Sequence, residues 1–476
     1  MGGSMFVGRQ KELAVLQEAY GSDRFEMLAV YGRRRVGKTL LLRAFAAEKP
    51  DTYFFTAQQT MPEENLARLS AVLAKGAGAS GPEFFSPGTY PVYQSFEAAL
   101  RSVFEESLGR RVLLVIDEYP YLAEGYSGIS SVLQALIDQY QQRSKLMIVL
   151  CGSSMSFMES QVLGEKSPLY GRRTGQIRVV PFDFSDAATL LGTGDAVRAM
   201  ELYGIAGGVP LYLDQLDSAR NLEWNISKRV LRVGAFLEAE TENFLLQELR
   251  SPGRYNAVLA ALASGRNTPK EIADQTAIPA ANVQQALQRL EELTLVRRVT
   301  PAVKAKSRQV RYEIADNLFR FSYRFKGKYE TPIEMGLSDE VARRIVADEF
   351  STYMGPVFED VCRQWLVNQA VRGCLPLLPV EVGRWWGTNP RERREEEIDV
   401  VVRGADGELV LGECKWNSRP VDASVIGVLR RRAELLPGGG DAQLFVFSKS
   451  GFEEECRARA AEVGNVRLVT AEEMLR

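Results

Sequence analysis

The segment Gly32-Arg33-Arg34-Arg35-Val36-Gly37-Lys38-Thr39 constrains this chain more than any other feature, because it matches G-x-x-x-x-G-K-[ST]. The apolar run Met27–Tyr31 precedes it and the apolar-periodic stretch Leu40–Ala47 follows it. That order predicts a strand, a phosphate-cradling loop and a helix. Glycines at positions 32 and 37 let backbone N–H groups approach phosphate oxygens, and the helix N-terminus adds positive potential. In such a cradle Lys38 reaches the β- and γ-phosphates of ATP, and Thr39 offers a hydroxyl to Mg²⁺.

A second element fits the first. Val112–Ile116 is an apolar run that ends in Asp117 and Glu118. Asp117 is placed to hold Mg²⁺ through water, and Glu118 to orient or activate the attacking water. Further strands are predicted at Phe25–Tyr31, Tyr53–Thr56, Lys145–Cys151 and Ile177–Pro181, with helical stretches between them. Short, wholly apolar strands alternating with helices predict a parallel α/β sheet. Hydrolysis needs positive charge beyond Lys38, and Arg172 and Arg173 are candidates for it. A solvated basic loop explains the two arginines equally well. Ser153 or Ser154, after the Leu146–Cys151 run, suits a sensor of the γ-phosphate or a simple turn.

The 476 residues suffice for two to four domains at roughly 100–200 residues each. Four blocks can be read: 5–185, the parallel α/β block; 186–240, helical; 241–330, helical and then β-branched and basic; and 331–476, α/β again. Gly327–Leu337 reads as the linker between the last two, and Arg391–Glu397 as a charged loop. Met1–Ser4 reads as a leader or cloning remnant ahead of Met5.

The chain contains no histidine. That excludes Ser-His-Asp and Cys-His nucleophiles, zinc sites with His ligands, and nucleases with a His base. Five cysteines without C-x-x-C spacing argue against a disulfide scaffold or a Cys₄ zinc site, and fit a reducing cytoplasm. No apolar run approaches the ~18 residues of a membrane span. The net charge of −2 removes any global basic field, so nucleic-acid affinity has to come from local patches.

One such patch follows a predicted helix-turn-helix. Tyr255–Ala263, Thr268–Thr276 and Pro279–Leu293 read as three helices, with Thr268 as N-cap of the second. Leu295–Pro301 and Val310–Ile314 then read as the hairpin of a wing. Between Arg297 and Lys328 lie Arg297, Arg298, Lys304, Lys306, Arg308, Arg311, Arg320, Arg324, Lys326 and Lys328 against only Glu313 and Asp316. This favours nonspecific contact with DNA backbone. The third helix carries Glu291 and Glu292, which favours a protein-coupling module instead.

The last block carries carboxylates around a lysine. Glu359 lies in a predicted helix, Asp399 in the strand Glu397–Val402, and Glu413 and Lys415 two apart in the strand Leu409–Trp416. Residues i and i+2 share one face of a strand, so Glu413 and Lys415 project together, and Asp399 meets them from the neighbour. Asp399 and Glu413, with Glu359, suit Mg²⁺ or Mn²⁺, which prefer oxygen ligands. Lys415 would position or deprotonate a water. Trp385 and Trp386 suit stacking on bases or packing beside the sheet.

The combination of Phe6-Val7-Gly8-Arg9, the phosphate loop, Ile116-Asp117-Glu118 and Pro168-Leu169-Tyr170-Gly171-Arg172 resembles the archaeal-type AAA-like ATPases related to the STAND signalling NTPases. Gly207-Gly208-Val209-Pro210 resembles the lid element of that group. The resemblance implies that Gly8 and Arg9 lie near the nucleotide base and that Pro210 approaches it from a helical lid. The last block resembles the PD-(D/E)XK nuclease fold and the DUF234-type domain attached to these ATPases. The proline usual before the first acid is absent; Ile398 stands there.

The expected fold is therefore α/β multidomain: a P-loop ATPase core, a helical lid, a winged helix and a nuclease-like α/β domain. The expected function is Mg·ATP hydrolysis coupled to action on DNA by a metal-dependent nuclease-like domain. The alternative is a STAND-like nucleotide switch whose nuclease fold only binds partners. An arginine supplied in trans would require a homo-oligomer; Arg172 or Arg173 in cis would not.

Overall fold

The structure is a computed structural model that describes residues 6–76, 90–303 and 310–475. Met1–Ser4 and the wing residues Lys304, Lys306 and Arg308 lie outside the described residues. The chain divides into two compact units, Met1–Pro181 and Phe182–Arg476.

The first unit is built on five strands: β1 (Glu26–Tyr31), β2 (Thr52–Thr56), β3 (Val112–Asp117), β4 (Leu146–Gly152) and β5 (Gly175–Arg178). They are all parallel, in the order β2-β3-β4-β1-β5. Every residue of β1, β3 and β4 is buried, which is why these strands read as continuous apolar runs. One face packs Leu41 and Phe45 of the Lys38–Ala46 helix; the other packs Phe104 and Leu136. Tyr31 aligns with Gly152, and Ile116 with Leu150. The phosphate loop, Asp117 and the turn after β4 therefore share the carboxyl edge of the sheet, where open α/β sheets bind ligands.

The second unit begins with helices, among them Phe184–Leu191 and Ala196–Ala206. The helices Pro252–Ala263, Pro269–Thr276 and Ala280–Glu292 follow. Thr268 caps the second of these in a complete capping box with Glu271. Strands β6 (Val296–Val299) and β7 (Arg311–Ile314) then form an antiparallel pair. Residues 327–337, read as a linker, contain the short helical turns Gly327–Tyr329 and Glu330–Glu334.

The long helix Phe350–Val371 leads into a five-stranded mixed sheet. Its strands are β8 (Pro379–Asn389), β9 (Arg394–Gly404), β10 (Leu409–Lys415), β11 (Gln443–Ser448) and β12 (Val466–Thr470), ordered β12-β11-β10-β9-β8. Pairs β8/β9 and β9/β10 are antiparallel; β10/β11 and β11/β12 are parallel. Phe358 and Trp365 of the long helix pack with Val400, Phe445 and Phe447, while Leu429 and Cys456 pack with Val401, Leu411 and Val446 from the Ser424–Ala433 and Glu454–Val463 helices.

Two features depart from expectation. Arg394–Glu397 is strand, not loop, because it pairs with Trp386–Asn389 at the far end of the eleven-residue β8. In addition, Gly383 pairs with Val401 but Trp385 with Ile398, so β9 carries one extra residue at 399–400. Asp399 thus sits in a β-bulge, a device that re-aims side chains.

Candidate functional site

The phosphate loop begins at the buried end of β1. A Cβ on Gly32 would stand 2.2 Å from the carbonyl oxygen of Val179, so this glycine is required by backbone packing as well as by any phosphate. Gly37 has φ of 88°, a left-handed conformation that glycine adopts without steric cost, and it caps the Lys38–Ala46 helix. Lys38 is buried, and its Nζ donates to the carbonyls of Gly32 and Arg33 at 2.8 and 2.9 Å. Those bonds hold the ammonium within the loop. The hydroxyl of Thr39 donates to Oδ2 of Asp117 at 2.9 Å. A hydroxyl and a carboxylate oxygen thus lie side by side, a donor pair of the chemistry Mg²⁺ takes.

Arg9 is buried, and its Nη2 donates to the carbonyl of Val36 inside the loop at 2.8 Å, while Nη1 pairs with Glu12 at 3.1 Å. Gly8 and Arg9 both have positive φ, 68° and 66°. This turn starts the Gln10–Gly21 helix and clamps it to the phosphate loop.

Glu118 also adopts a left-handed conformation, φ 53°. Its Oε2 accepts from the hydroxyl of Ser153 at 3.0 Å. Ser153, singled out after β4, therefore touches the carboxylate expected to handle the attacking water. Arg172 makes a two-pronged pair with Asp138, 2.7 Å on each arm, and Arg173 donates to the carbonyl of Leu163 at 3.0 Å. Both are tied within their own unit. Pro210, in the second unit, opens the Pro210–Leu213 helix.

In the second unit the bulge brings Asp399 level with Glu413. Oδ2 of Asp399 accepts from the backbone N–H of Cys414 at 2.8 Å. Lys415 Nζ lies 2.7 Å from Oε1 of Glu413. Burial, then the charges of Glu413 and Glu359, push the Asp399 carboxyl up to about 8. Burial pushes Glu359 up to about 7 against the pull of Arg363 and Arg384.

The oxygen chemistry of Asp399, Glu413 and Glu359 suits a divalent cation, but their arrangement does not present one with a ligand set. Among the described residues, no group of three or more Asp, Glu, His or Cys could hold a metal ion. The other oxygen of Glu413 is taken by Arg432, whose Nη1 lies at 2.9 Å while its Nε holds Glu396 at 2.9 Å. Arg363 lies 3.6 Å from Glu359 and donates to the carbonyl of Asp399 at 2.6 Å. Arginines thus pair with Glu413 and Glu359, while the Asp399 carboxyl is held by the backbone N–H of Cys414. Sequence reading missed Arg432 and Arg363 because neither belongs to the spaced motif.

Among the described residues, five of the wing's basic side chains have partners within the fold. Arg297 bridges Glu313 and Asp360, at 3.0 and 2.7 Å. Arg320 reaches Asp360 at 3.4 Å, Lys326 holds Glu238 and Glu242, and Lys328 holds Glu349. Arg311 lies 4.6 Å from the ring centre of the buried Trp386. The tryptophans therefore pack against the sheet and are not available for stacking on bases. Burial alone would raise Asp360, but Arg297, Arg363 and Arg320 together hold it well below the usual carboxylate range. The backbone of Ala302 donates to the carbonyl of Arg384 at 2.9 Å, joining the end of the β6 segment to β8. Arg298, Arg324 and Lys328 are exposed.

Among the described residues no helix is long and apolar enough to cross a membrane. Residues 6–216 match the model of an ATPase domain found predominantly in Archaea, and residues 322–426 match DUF234, described as archaeal bacterial proteins of unknown function. An uncharacterized protein of Methanocaldococcus jannaschii is 30% identical over 415 residues, covering 87% of this chain and 88% of that protein. The chain is also similar to a Walker-type ATPase of Pyrococcus abyssi, with 24% identity, a TM-score of 0.47, and coverage of 67% of this chain and 96% of that one. The ORC2 protein of Aeropyrum pernix gives 12% identity, a TM-score of 0.41, and coverage of 71% and 95%. With its phosphate loop, its parallel sheet and a relative 30% identical over most of both chains, the chain belongs to this archaeal ATPase family, joining the ATPase domain to a DUF234 region.

Proposed function

We propose that the protein hydrolyses Mg·ATP and uses its nucleotide state to control action on DNA by the winged helix and nuclease-like domain. The hydrogen bond from Thr39 to Asp117 carries this reading, because it joins the two halves of an ATP site. Lys38 would leave the carbonyls of Gly32 and Arg33 for the β/γ-phosphates. Glu118, once released by Ser153, would orient the attacking water. Bound Mg²⁺ would neutralise phosphate charge beside Thr39 and Asp117. Gly8 and Arg9 would border the base, and Pro210 would approach from the lid. Arg172 or Arg173, from this chain or a neighbouring copy, would supply the finger.

The functional divisions in this reading are 5–185, 186–240, 241–330 and 331–476. The ion pairs of Arg297 and Arg320 with Asp360 support movement of the last two together. Cleavage by the nuclease-like domain would require Glu413 to exchange Arg432 for Mg²⁺ or Mn²⁺. A second reading, a cytoplasmic nucleotide switch whose nuclease fold only binds partners, is favoured by that same Arg432–Glu413 pair. ATP hydrolysis measured with and without duplex DNA tests the main reading. Stimulation by DNA supports it; equal rates favour the protein-only switch.

A further inference from the structure

The lid segment 186–240 and the nuclease-like segment 331–476 lie far apart in sequence but share one hydrophobic core. Ile205 and Leu231 of the lid belong to it, as do Val357 and Phe358 of the Phe350–Val371 helix. Phe447 of β11 and Met474, near the chain end, complete it.

The join is polar as well as apolar. Gln364 accepts from the backbone N–H of Phe184 at 2.7 Å and donates to the hydroxyl of Tyr203 at 3.2 Å. The Tyr353 hydroxyl donates to the carbonyl of Gly204 at 2.6 Å, and Nδ2 of Asn368 donates to Asp183 at 3.1 Å. A Cβ on Gly204 would stand 2.4 Å from Sδ of Met354, so the Ala196–Ala206 and Phe350–Val371 helices are in close contact. At about 3.6 residues per turn, Tyr353, Gln364 and Asn368 fall on one face of the long helix, and Glu359 and Arg363 fall on the opposite one. That opposite face holds the carboxylate site, where Arg363 donates to the carbonyl of Asp399 at 2.6 Å.

The connection back to the ATPase unit is short. Val179 donates its N–H to the carbonyl of Tyr31 at 2.7 Å, immediately before the phosphate loop. Phe182 donates its N–H to the carbonyl of Gly208 at 2.7 Å, two positions before Pro210. Gly208 is required there, because a Cβ would stand 1.8 Å from the carbonyl oxygen of Phe182. Val180 and Pro181 alone separate these two anchors, and neither lies in a helix or strand.

We infer that the lid and the nuclease-like domain form one rigid body, which turns about Val180–Pro181 when the lid closes on a nucleotide. The lid then cannot move without carrying the carboxylate site with it. Packed cores switch between discrete arrangements and do not deform continuously, so the Phe350–Val371 helix transmits the movement whole. Gln364 and Tyr353 are positioning residues at this joint. The coupling rests on the proposed approach of Pro210 to the nucleotide.

Spin-label distances in the full chain test it. Leu108→Cys in the ATPase unit, Ala219→Cys in the lid and Glu455→Cys in the nuclease-like domain are exposed positions, labelled in pairs. The background carries Cys374→Ser, which removes the exposed native thiol, and Glu118→Gln, which slows hydrolysis. Between the ADP and ATP states, the distances 108–219 and 108–455 are expected to shift together while 219–455 stays fixed. A shift in 219–455 that accompanies 108–219 would overturn the inference and leave nucleotide control standing. No shift in any pair would overturn the coupling and refute nucleotide control as well. Hydrogen exchange without nucleotide tests the single body by itself. Gln364→Ala is expected to speed exchange in Ala196–Ala206 and in Leu409–Lys415 by the same factor, about tenfold for the lost hydrogen bonds. Faster exchange in the lid helix alone would overturn the inference.

Discussion

The hydroxyl of Thr39 donates to Asp117 at 2.9 Å across 78 positions of sequence. Parallel pairing of β1 and β3 with β4 sets this contact, bringing the start of the Lys38–Ala46 helix to the end of β3. The loop and the acidic strand end therefore meet at the carboxyl edge of the sheet.

Removing Lys38 should remove ATP binding. Lys38→Ala is expected to lower both affinity and turnover at least a hundredfold. Glu118→Gln separates the steps: nucleotide should still bind, while hydrolysis falls about 10²–10⁴-fold, the usual range for loss of a general base. Fluorescent-nucleotide binding and phosphate release measure the two. Unchanged turnover in Glu118→Gln would remove this residue from the mechanism.

Asp360 compensates three arginines, so its neutral isostere should be costly. Asp360→Asn is expected to destabilise the second unit by about 3–5 kcal/mol, because Arg297, Arg320 and Arg363 lose a buried partner. Urea unfolding would show the lower midpoint. A change below about 1 kcal/mol would mean that water reaches this cluster.

Acid should act through the same groups. Asp360 and Glu313 have folded-state pKa values below their unfolded ones. Their stabilisation is fully present above the unfolded value, near 4, and is lost as pH falls through the folded value. Melting temperatures measured downward from pH 5 should fall more steeply in the wild type than in a Glu313→Gln variant.

The pair Arg432–Glu413 competes with any cation at Glu413. Arg432→Gln is expected to tighten Mn²⁺ binding about tenfold, read by electron paramagnetic resonance. If the domain cuts DNA, Mn²⁺-dependent cleavage should appear and disappear again in Lys415→Ala. Tighter Mn²⁺ without cleavage would support the binding-module reading.

The ATPase half was legible because burial on both faces makes Val112–Ile116 and Leu146–Cys151 uninterrupted apolar runs. The loop between β1 and the next helix is local, so its spacing survives in sequence. The Asp399 bulge was not legible, since it exists only in the register of β9 against β8. β12 escaped notice as a short, partly exposed edge strand. The partners of the wing charges were not legible for a related reason. A local count includes Arg297, Lys326 and Lys328 but not the partners Asp360, Glu238 and Glu349, which only the fold brings near. Arg432 carried no signal, because its place at Glu413 depends on how a helix lies on β10.

The central claim is that nucleotide state controls action on DNA. The most direct measurement is duplex DNA affinity, by fluorescence anisotropy at fixed salt, in the ATP-bound and ADP-bound states of Glu118→Gln. The account predicts affinities differing at least tenfold between the two states, with the difference abolished in Lys38→Ala. Equal affinity in both states, or no binding in either, would contradict it.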